Sequence, residues 1–398
     1  MKSPVSQRRV RILFVGMPSS IHAARWIEQL GGLGWDLHFF PCFLERAHHE
    51  LRHVTLYGLP MKRPADLHPS VRWRGVWPLP RGAARIQPSV QKRLPNLLAG
   101  LISALKPDLV HSLESQHAGY LTLEARQRLA SFPPWILQNY GSDIFLFGRL
   151  PDHARRVHAL LASVDFYHAE CERDVGLARA AGFAGEVLGV LPNAGGLHLE
   201  RLETLRSPGP VSARRTIAVK GYQGWVGRAL VALRALELNA EALQDYRIRV
   251  FGATSPEIGI AAELLAGSTG LDVEVLPPCS HDEVLRLHGR ARTSIALGIS
   301  DGIPQGAIEA MAMGSFPIQS NTSCLGDWVE DGQTGILVHP EDPMAVADAV
   351  RRVVSDGELV DRAAEANAAV IAERASRERV RAQAIDLYRR ALSNGRAR

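Results

Sequence analysis

The sequence predicts an α/β protein made of two doubly wound, Rossmann-like domains. Short and nearly continuous apolar segments, such as 10–16 and 187–191, recur along the chain in the form that buried parallel strands take. Helical periodicity follows each of these segments, which is the order of β-α-β units. A chain of 398 residues is also long enough for two domains, each with its own buried core.

The order of the predicted elements is the same in both halves. The first half opens with the strand 10–16, a helix from Ile21 and a strand at 36–40, followed by strands at 107–111, 135–139, 166–168 and 187–191. The second half starts again with a strand at 216–220 and a helix at 228–238, followed by strands at 247–251, 273–276 and 294–297. A polar segment rich in Pro and Gly lies between the halves. These patterns predict domains at 1–200 and 216–375, joined by a linker at 201–215.

Composition limits the functional classes. Hydrophobic residues make up 46% of the chain and charged residues 22%, which is typical of a globular protein. The chain enters its first strand without an apolar leader and contains no apolar run long enough to span a membrane, so we expect a cytoplasmic protein. The four cysteines lack CxxC spacing, which argues against a zinc site. A net charge of +5 agrees with an anionic ligand and does not indicate a nucleic-acid partner.

The most informative stretch is GISDGIPQGAIEAMAMGSFPIQS, residues 298–320. It predicts a strand end, a tight turn, an apolar helix that Gly314 ends, and another strand. Glu309 has no cation three or four residues away, so a polar partner or a ligand must hold its carboxylate if the helix is buried. The start of the helix offers backbone N–H groups to a phosphate. Residues predicted to bind a nucleotide here are Gly302, Gln305, Gly306, Ala307, Ile308 and Glu309, the last through a ribose diol.

Residues 301–314, DGIPQGAIEAMAMG, resemble the acid-x7-acid motif of retaining GT-B glycosyltransferases. These form the large family, glycosyltransferase family four or group 1, that includes sucrose synthases and many bacterial polysaccharide enzymes. The resemblance implies two Rossmann-like domains facing a central cleft, with the nucleotide sugar on the second domain. It also implies that Asp301 contacts a hydroxyl of the donor sugar, although the family usually has the longer Glu there. A C-terminal helix at 376–398 would cross back onto the first domain, and its apolar stripe suits that position.

The loop VKGYQGWVGRAL departs from the family pattern. The family carries an Arg and a Lys there for the donor diphosphate, and in register these positions fall on Tyr222 and Gly227. Lys220 and Arg228 flank them, so we predict that these two cations stabilise the leaving diphosphate. A solvated lysine beside an ordinary helix start is the alternative. The chain has no Asp-x-Asp motif, which predicts transfer without a metal and with no cofactor beyond the donor substrate.

Candidate residues of the first domain lie after its predicted strands. Ligands of open α/β sheets collect at the carboxyl ends of the strands, where the sequence places polar side chains. We predict a catalytic role for His117, while a structural role is the alternative for every residue of this group. Ser20 also fits a plain helix N-cap. Predicted residues of the acceptor side are His111 and Asp143 at strand ends, and Ser19, Ser20 and His22 in the first loop. The resemblance implies a helix-entry His at position 22, although the glycine pair of the family falls on Met17 and Pro18.

The segment 61–98 has an unusual charge pattern. It contains eight basic residues and one acid, with Trp73 and Trp77 among them. A solvated loop and a surface that docks onto an anionic membrane or an acceptor both account for this composition.

The predicted function is transfer of a sugar from a nucleotide-diphosphate sugar to a hydroxyl of a glycan, a lipid-linked or another acceptor, with retention of the anomeric configuration. The resemblance favours front-face transfer. A GT-B sugar-nucleotide epimerase and a catalytically idle binding protein remain open alternatives, since fold alone does not separate them. An oxidoreductase is disfavoured, because neither VGMPSS nor VKGYQG has the GxGxxG pattern.

Overall fold

The computed structural model describes residues 9–58, 63, 65–75 and 92–395. The chain divides into two compact units, Met1–Gly195 with Val380–Arg398, and Gly196–Arg379. Each unit contains one parallel sheet with helical connections between its strands, which confirms the predicted fold class of two Rossmann-like domains. The boundaries predicted at 200, 215 and 375 stay a prediction.

The first unit is built on an eight-stranded parallel sheet in the order β4-β3-β2-β1-β5-β6-β7-β8. Its strands are β1 Arg11–Gly16, β2 Asp36–Pro41, β3 Thr55–Gly58, β4 Arg72–Gly75, β5 Leu109–Leu113, β6 Trp135–Gln138, β7 Phe166–Ala169 and β8 Glu186–Val190. Its first helices are α1 Ile21–Glu28, α2 Leu94–Leu105, α3 Tyr120–Arg126, α4 Ser142–Phe145, α5 Pro151–Leu161 and α6 Glu172–Ala180. The central strands β1 and β5 are buried almost throughout, as their apolar sequences require.

The second unit is built on a six-stranded parallel sheet in the order β11-β10-β9-β12-β13-β14. Its strands are β9 Thr216–Lys220, β10 Arg247–Phe251, β11 Asp272–Val275, β12 Thr293–Ala296, β13 Phe316–Ser320 and β14 Ile336–Val338. Its helices are α7 Leu199–Leu205, α8 Ala229–Glu237, α9 Glu257–Thr269, α10 His281–Arg290, α11 Gln305–Ala312, α12 Pro343–Ser355 and α13 Gly357–Arg374. Chain order reverses between β9 and β12, which is where α/β sheets usually bind ligands.

The last helix, α14 Arg377–Gly395, belongs to the first unit from Val380 onward. The apolar stripe of this helix is buried in the core of that unit. Tyr388 is fully buried, and its hydroxyl accepts a hydrogen bond of 2.7 Å from Trp26 Nε1 and lies 2.7 Å from His111 Nδ1. The stripe consists of Val380, Ala384, Leu387, Tyr388 and Ala391.

Two segments contain regular structure that composition did not predict. In the basic segment 61–98, residues 72–75 form the edge strand β4, on which Arg72 and Arg74 are exposed while Trp73 is half-buried. Arginines on a short edge strand hinder pairing with another sheet, so this position suits them. Met61, Lys62, Trp77, Arg81 and Arg85 lie outside the described residues. In the predicted linker, α7 extends to Leu205.

No helix among the described residues has the length and apolar character needed to cross a bilayer.

Candidate functional site

Glu309 lies in α11 with only 5% of its surface exposed. Its Oε1 is 2.8 Å from His281 Nε2, at the start of α10, and accepts a hydrogen bond of 3.3 Å from Gln305 Nε2. Within the described part of the chain, no residue donates a hydrogen bond to the second oxygen, Oε2. The protein thus holds one carboxylate oxygen of Glu309 and leaves the other for a ligand.

The charge of Glu309 is maintained in spite of its burial. Burial raises the pKa of this carboxyl. The hydrogen bond from His281 and the charges nearby lower it by more than burial raises it, so the net pKa lies below its usual value. Glu309 is therefore ionised at neutral pH and accepts hydrogen bonds only.

The turn before α11 positions Asp301 and Gly302. Asp301 is half-buried, and its Oδ1 accepts a hydrogen bond of 2.9 Å from Gly302 N. The carbonyl of Gly302 in turn accepts a hydrogen bond of 2.8 Å from Cys324 N. Because both contacts fix the backbone of the turn, the carboxylate of Asp301 has a defined place at the carboxyl end of β12.

The backbone at the start of α11 is more occupied than predicted. The N–H of Ala307 donates to Pro304 O at 2.8 Å, and that of Ile308 donates to the same oxygen at 3.2 Å, so neither is an open donor. Gly306 is half-buried, and no described atom lies within 4 Å of the position that a Cβ would take there. A phosphate would therefore meet the backbone at Gln305 and Gly306 rather than at Ala307 or Ile308.

Lys220 and Arg228 occupy different environments. Lys220 ends β9, is half-buried, and places its Nζ 5.8 Å from the centre of the Tyr222 ring. The Arg228 guanidinium donates to Glu341, and it also donates to the carbonyls of residues 224, 225, 226 and 227 at 2.8–3.3 Å. These contacts contradict the predicted role of Arg228 as a free cation for a diphosphate and favour a structural one.

In the first unit, Glu114 organises the chain after β5. It has a φ of 93°, which is unusual for a residue with a side chain. Its carboxylate accepts hydrogen bonds from the backbone N–H groups of Gln116, His117 and Ala118, at 2.6–2.9 Å. The strained backbone thus lets one buried carboxylate cap the helical turn Ser115–Gly119.

His117 lies in that turn, and Asp143 contacts its first residue, Ser115. The His117 side chain is 46% exposed, with Nδ1 3.4 Å from Glu114 Oε2, while Asp143 is buried and accepts a hydrogen bond of 2.8 Å from Ser115 N. The hydrogen bond to Glu114 raises the pKa of His117. Burial, and then the charge of Glu114, raise the pKa of Asp143 to about 7. The structure therefore brings together two of the predicted residues, and the pKa of each is raised above its usual value.

Four predicted acceptor residues have contacts that favour structural roles. Ser20 is the N-cap of α1, since its Oγ accepts from Ala23 N at 3.3 Å, and Ser19 Oγ donates to Glu45. His111 is fully buried against Tyr388, which explains its position without a ligand. His22 is half-buried, and its ring packs 5.7 Å from that of Tyr140.

One group of side chains in the first unit has the composition of a metal site. Ligand atoms of His48, His49 and Glu50 lie within 4.8 Å of one another. The guanidinium of Arg25 binds both oxygens of Glu50, at 2.8 and 3.2 Å. Because this cation already neutralises the carboxylate, the group does not predict a metal site.

No local sequence signal predicts the His281–Glu309 contact. The two residues are 28 positions apart, on different helices. Ser280 and Glu283 form a capping box, which marks the start of α10 in the sequence but not the neighbour that His281 meets.

Comparison with known proteins points to one family. Residues 215–370 match the family described as Glycosyl transferases group 1. A D-inositol 3-phosphate glycosyltransferase from Nocardioides sp. is 36% identical over 126 residues, which are 32% of this chain and 27% of that protein. A glycogen synthase from Mycobacterium tuberculosis is 36% identical over 86 residues, 22% of this chain and 21% of the synthase. The chain thus spans about a quarter of the length of these curated relatives.

Solved structures match over nearly the whole chain. A sucrose-phosphate synthase from Thermosynechococcus elongatus superposes with a TM-score of 0.71 at 16% identity, over 97% of this chain and 100% of that one. Anabaena HepE, solved in complex with UDP and glucose, gives a TM-score of 0.66 at 15% identity, over 94% of this chain and 98% of that one. At such low identity these likenesses show the fold, which is GT-B.

Proposed function

Through residues 215–370 the chain belongs to the glycosyl transferases group 1 family, and we propose from this that it transfers a sugar from a nucleotide-diphosphate sugar to an acceptor hydroxyl, with retention of configuration. The curated relatives are named as a D-inositol 3-phosphate glycosyltransferase and a glycogen synthase, so both are named for reactions on sugars. A UDP-glucose complex of Anabaena HepE makes that nucleotide sugar the first donor to test.

The geometry of Glu309 is the observation that carries the proposal. A buried and ionised carboxylate needs full hydrogen bonding, and the described residues supply it to Oε1 only. The 2′- and 3′-hydroxyls of a ribose are neutral donors that would bind the open oxygen. We assign Glu309 to that diol, with the diphosphate at the backbone of Gln305 and Gly306 and the sugar at Asp301.

The chemical problem is the charge that grows on the diphosphate as its bond to the anomeric carbon breaks. Lys220 is the proposed cation for this charge, helped by the positive end of α11. Asp301 would bind a hydroxyl of the transferred sugar and orient it. In the first unit, we propose that His117 contacts substrate, that Glu114 holds its ring in place, and that Asp143 holds the turn that carries it. The chain has no Asp-x-Asp motif, so we expect turnover to continue in the presence of a chelator.

A panel of nucleotide sugars tests the proposal. The protein is incubated with UDP-glucose, ADP-glucose, GDP-mannose and related donors, with and without simple saccharide acceptors, and the products are identified by NMR. A transferase hydrolyses its donor slowly or transfers the sugar, and the anomeric signal shows retention. Interconversion of the nucleotide sugars would indicate an epimerase. Binding without turnover would indicate a catalytically idle protein, and no binding at all would refute the assignment of the site.

We further propose that the acceptor is presented at an anionic membrane or on a lipid carrier, met by the basic segment 61–98. Exposed cations of this segment within the described residues are Arg63, Arg72, Arg74, Lys92 and Arg93, although Arg72 also pairs with Asp36 at 2.9 Å. Each basic residue near an anionic bilayer contributes about 1 kcal/mol, so three or four of them would give reversible binding.

Sedimentation with liposomes tests the membrane proposal. Wild-type protein should pellet with anionic vesicles and not with neutral ones, and high salt should release it. A variant with Arg72, Arg74, Lys92 and Arg93 changed to Ser should stay in the supernatant. The matched control changes four exposed arginines of the second unit, Arg201, Arg234, Arg351 and Arg362, to Ser. Equal loss of binding in the control would show a net-charge effect and reject the segment as the docking surface.

A further inference from the structure

The loop between β9 and α8 displays two exposed aromatic side chains. Trp225 is 56% exposed and Tyr222 is 37% exposed, and within the described part of the chain they are the aromatic residues among the exposed large hydrophobic side chains. Large aromatic side chains are usually buried, because leaving them in water costs a large part of their transfer free energy. An exposed pair on one loop therefore requires an explanation.

A poorly ordered loop does not explain the exposure, since hydrogen bonds along the loop fix its backbone. Gln223 exchanges two hydrogen bonds with Thr254 Oγ1, at 3.0 and 3.3 Å, and Arg228 binds the carbonyls of residues 224–227. A Cβ on Gly227 would lie 2.1 Å from Tyr222 O, so the turn closes only around a glycine. The two rings are thus presented by a fixed backbone, which lowers the entropy cost of binding a ligand.

Backbone hydrogen bonds join this loop to the residues that directly precede Asp301. Arg228 N donates to Leu297 O at 3.0 Å, and Ile299 N donates to Val226 O at 2.9 Å. Ile299 lies two residues before Asp301, whereas Glu309 lies eight residues after it. Under the proposed function, Glu309 marks the ribose end of the donor and Asp301 marks the sugar end, so the backbone of the loop is anchored beside the sugar end.

The chemistry of the rings fits a sugar at that place. A pyranose presents C–H groups on its faces and hydroxyls around its rim. The electron-rich face of an indole or phenol attracts the C–H groups and excludes water from them, while the rim stays free to hydrogen-bond. Because backbone hydrogen bonds join the short loop that carries the two rings to the segment just before Asp301, a small ring-shaped ligand suits them better than a broad protein surface.

We propose that Trp225 and Tyr222 form an aromatic platform, defined by these two side chains, that stacks against a pyranose ring at the reaction centre. This inference rests on the proposed function. The ring belongs either to the transferred sugar of the donor or to a saccharide acceptor, and the chemistry of stacking is the same for both. Trp225, as the more exposed of the two, is the specificity-determining residue.

Titration calorimetry with UDP-glucose and with UDP tests whether the stacked ring is the sugar of the donor. If the panel of nucleotide sugars selects another base, the matching nucleotide sugar and nucleotide are used instead. For a donor platform, Trp225→Ala should weaken binding of the nucleotide sugar by about 3- to 10-fold and leave binding of the nucleotide unchanged, the range expected from a lost aromatic contact. Trp225→Phe keeps a ring and should restore most of the affinity. The control, Leu264→Ala, removes another exposed apolar side chain of the same unit, 69% exposed, and should change neither.

Fluorescence titration with free mono- and disaccharides tests the acceptor source. If the platform binds an acceptor sugar, a saccharide should shift the emission of the wild type, and Trp225→Phe should abolish that shift while leaving nucleotide-sugar affinity intact. Two results together would overturn the platform. The ratio of nucleotide-sugar affinity to nucleotide affinity would be the same in wild type and Trp225→Ala, and so would the fluorescence response to saccharides. Failure of the proposed function looks different, since the wild type would then bind no nucleotide, and the saccharide titration would still decide on the platform.

Discussion

At the scale of single residues, the two carboxylate oxygens of Glu309 differ in their hydrogen-bond partners. Oε1 is held by His281 and Gln305, while Oε2 is open to a ligand. The side chain is buried and charged, so removing either its charge or its partner has a predictable cost.

We expect Glu309→Gln to retain the fold and to weaken nucleotide binding by about 1.5–3 kcal/mol, the strength of a hydrogen bond to a charged group. The amide still fills the site, but it loses the charge that strengthens a bond from the ribose. Calorimetry with the donor nucleotide measures the change, and unfolding by urea checks that stability is retained. Unchanged affinity in a folded variant would remove Glu309 from the site.

His281→Ala should act through Glu309. Burial raises the pKa of Glu309 and the contact with His281 lowers it, so removal of the imidazole should raise that pKa. Nucleotide binding requires the ionised carboxylate and should therefore weaken at a higher pH in the variant than in the wild type. The measurement is nucleotide affinity from pH 8 to 5. In a Glu309→Gln background, His281→Ala should have no further pH-dependent effect; if it does, His281 acts independently of Glu309.

At the scale of elements, the loop between β9 and α8 separates the roles of two cations that the sequence treats alike. Arg228 binds the carbonyls of the loop, whereas Lys220 ends a strand and keeps part of its surface open. Sequence spacing could not distinguish them, because both flank the family positions at 222 and 227. Their difference depends on how the loop folds back on itself.

We therefore expect Lys220→Ala to lower kcat more than donor affinity, since the charge it neutralises is largest in the transition state. Arg228→Ala should instead lower thermal stability of the second unit, because the loop carbonyls and Glu341 lose their donor. Steady-state kinetics and thermal unfolding on the same preparations test both. The assignment would be reversed if Arg228→Ala kept its stability and lost turnover.

Element boundaries show what local pattern can predict. Strands β9 and β10 were predicted to the residue, since β9 has an apolar centre between Thr216 and Lys220 and β10 alternates polar and apolar residues before its apolar end. The edge strand β4 was not predicted, because Arg-Trp-Arg carries no apolar run and its pairing with β3 depends on a neighbour distant in sequence. Propensity describes buried strands well and edge strands poorly for this reason.

At the scale of the whole molecule, each unit contains a histidine that is buried in its neutral form. Burial lowers the pKa of His168 in the first unit to about 3 and that of His288 in the second to about 4. His168 stacks on Trp26 with ring centres 4.9 Å apart. Below a pH of about 6.5 the unfolded chain binds protons at these positions, while the folded units do not.

The sign of the pH dependence follows from this difference. The stability that the two neutral histidines contribute is complete above pH 6.5 and is lost as pH falls toward 4 and then 3, at up to about 1.4 kcal/mol per pH unit for each. Urea midpoints measured from pH 7.5 to 4.5 should therefore decrease. His168→Phe should flatten the slope for the first unit, and the exposed His158→Gln should not. Equal slopes in wild type and His168→Phe would show that other groups control acid unfolding.

The sequence predicted the two-unit α/β architecture and the motif 301–314 from local pattern, and the structure confirms the architecture. It did not predict His281 beside Glu309, or the loop that Arg228 binds, because these contacts join segments that only the folded sheet brings together. Four of the residues expected on the acceptor side turned out to have structural partners, since polar side chains at strand ends also cap helices and fill cores. For Glu309 the sequence did indicate that its carboxylate needs a polar partner, because a buried carboxylate in an apolar helix has few alternatives, while its nucleotide-binding role stays a prediction.

The first unit is assembled from two stretches of chain, with all of residues 196–379 between them. During synthesis, the surface that Tyr388 covers, formed in part by Trp26 of α1 and His111 of β5, therefore stays open while the second unit is being made. At ordinary rates of translation this delay is on the order of ten to forty seconds. The second unit is contiguous and precedes most of α14 in the chain, whereas the first unit buries this surface only after α14 has been made.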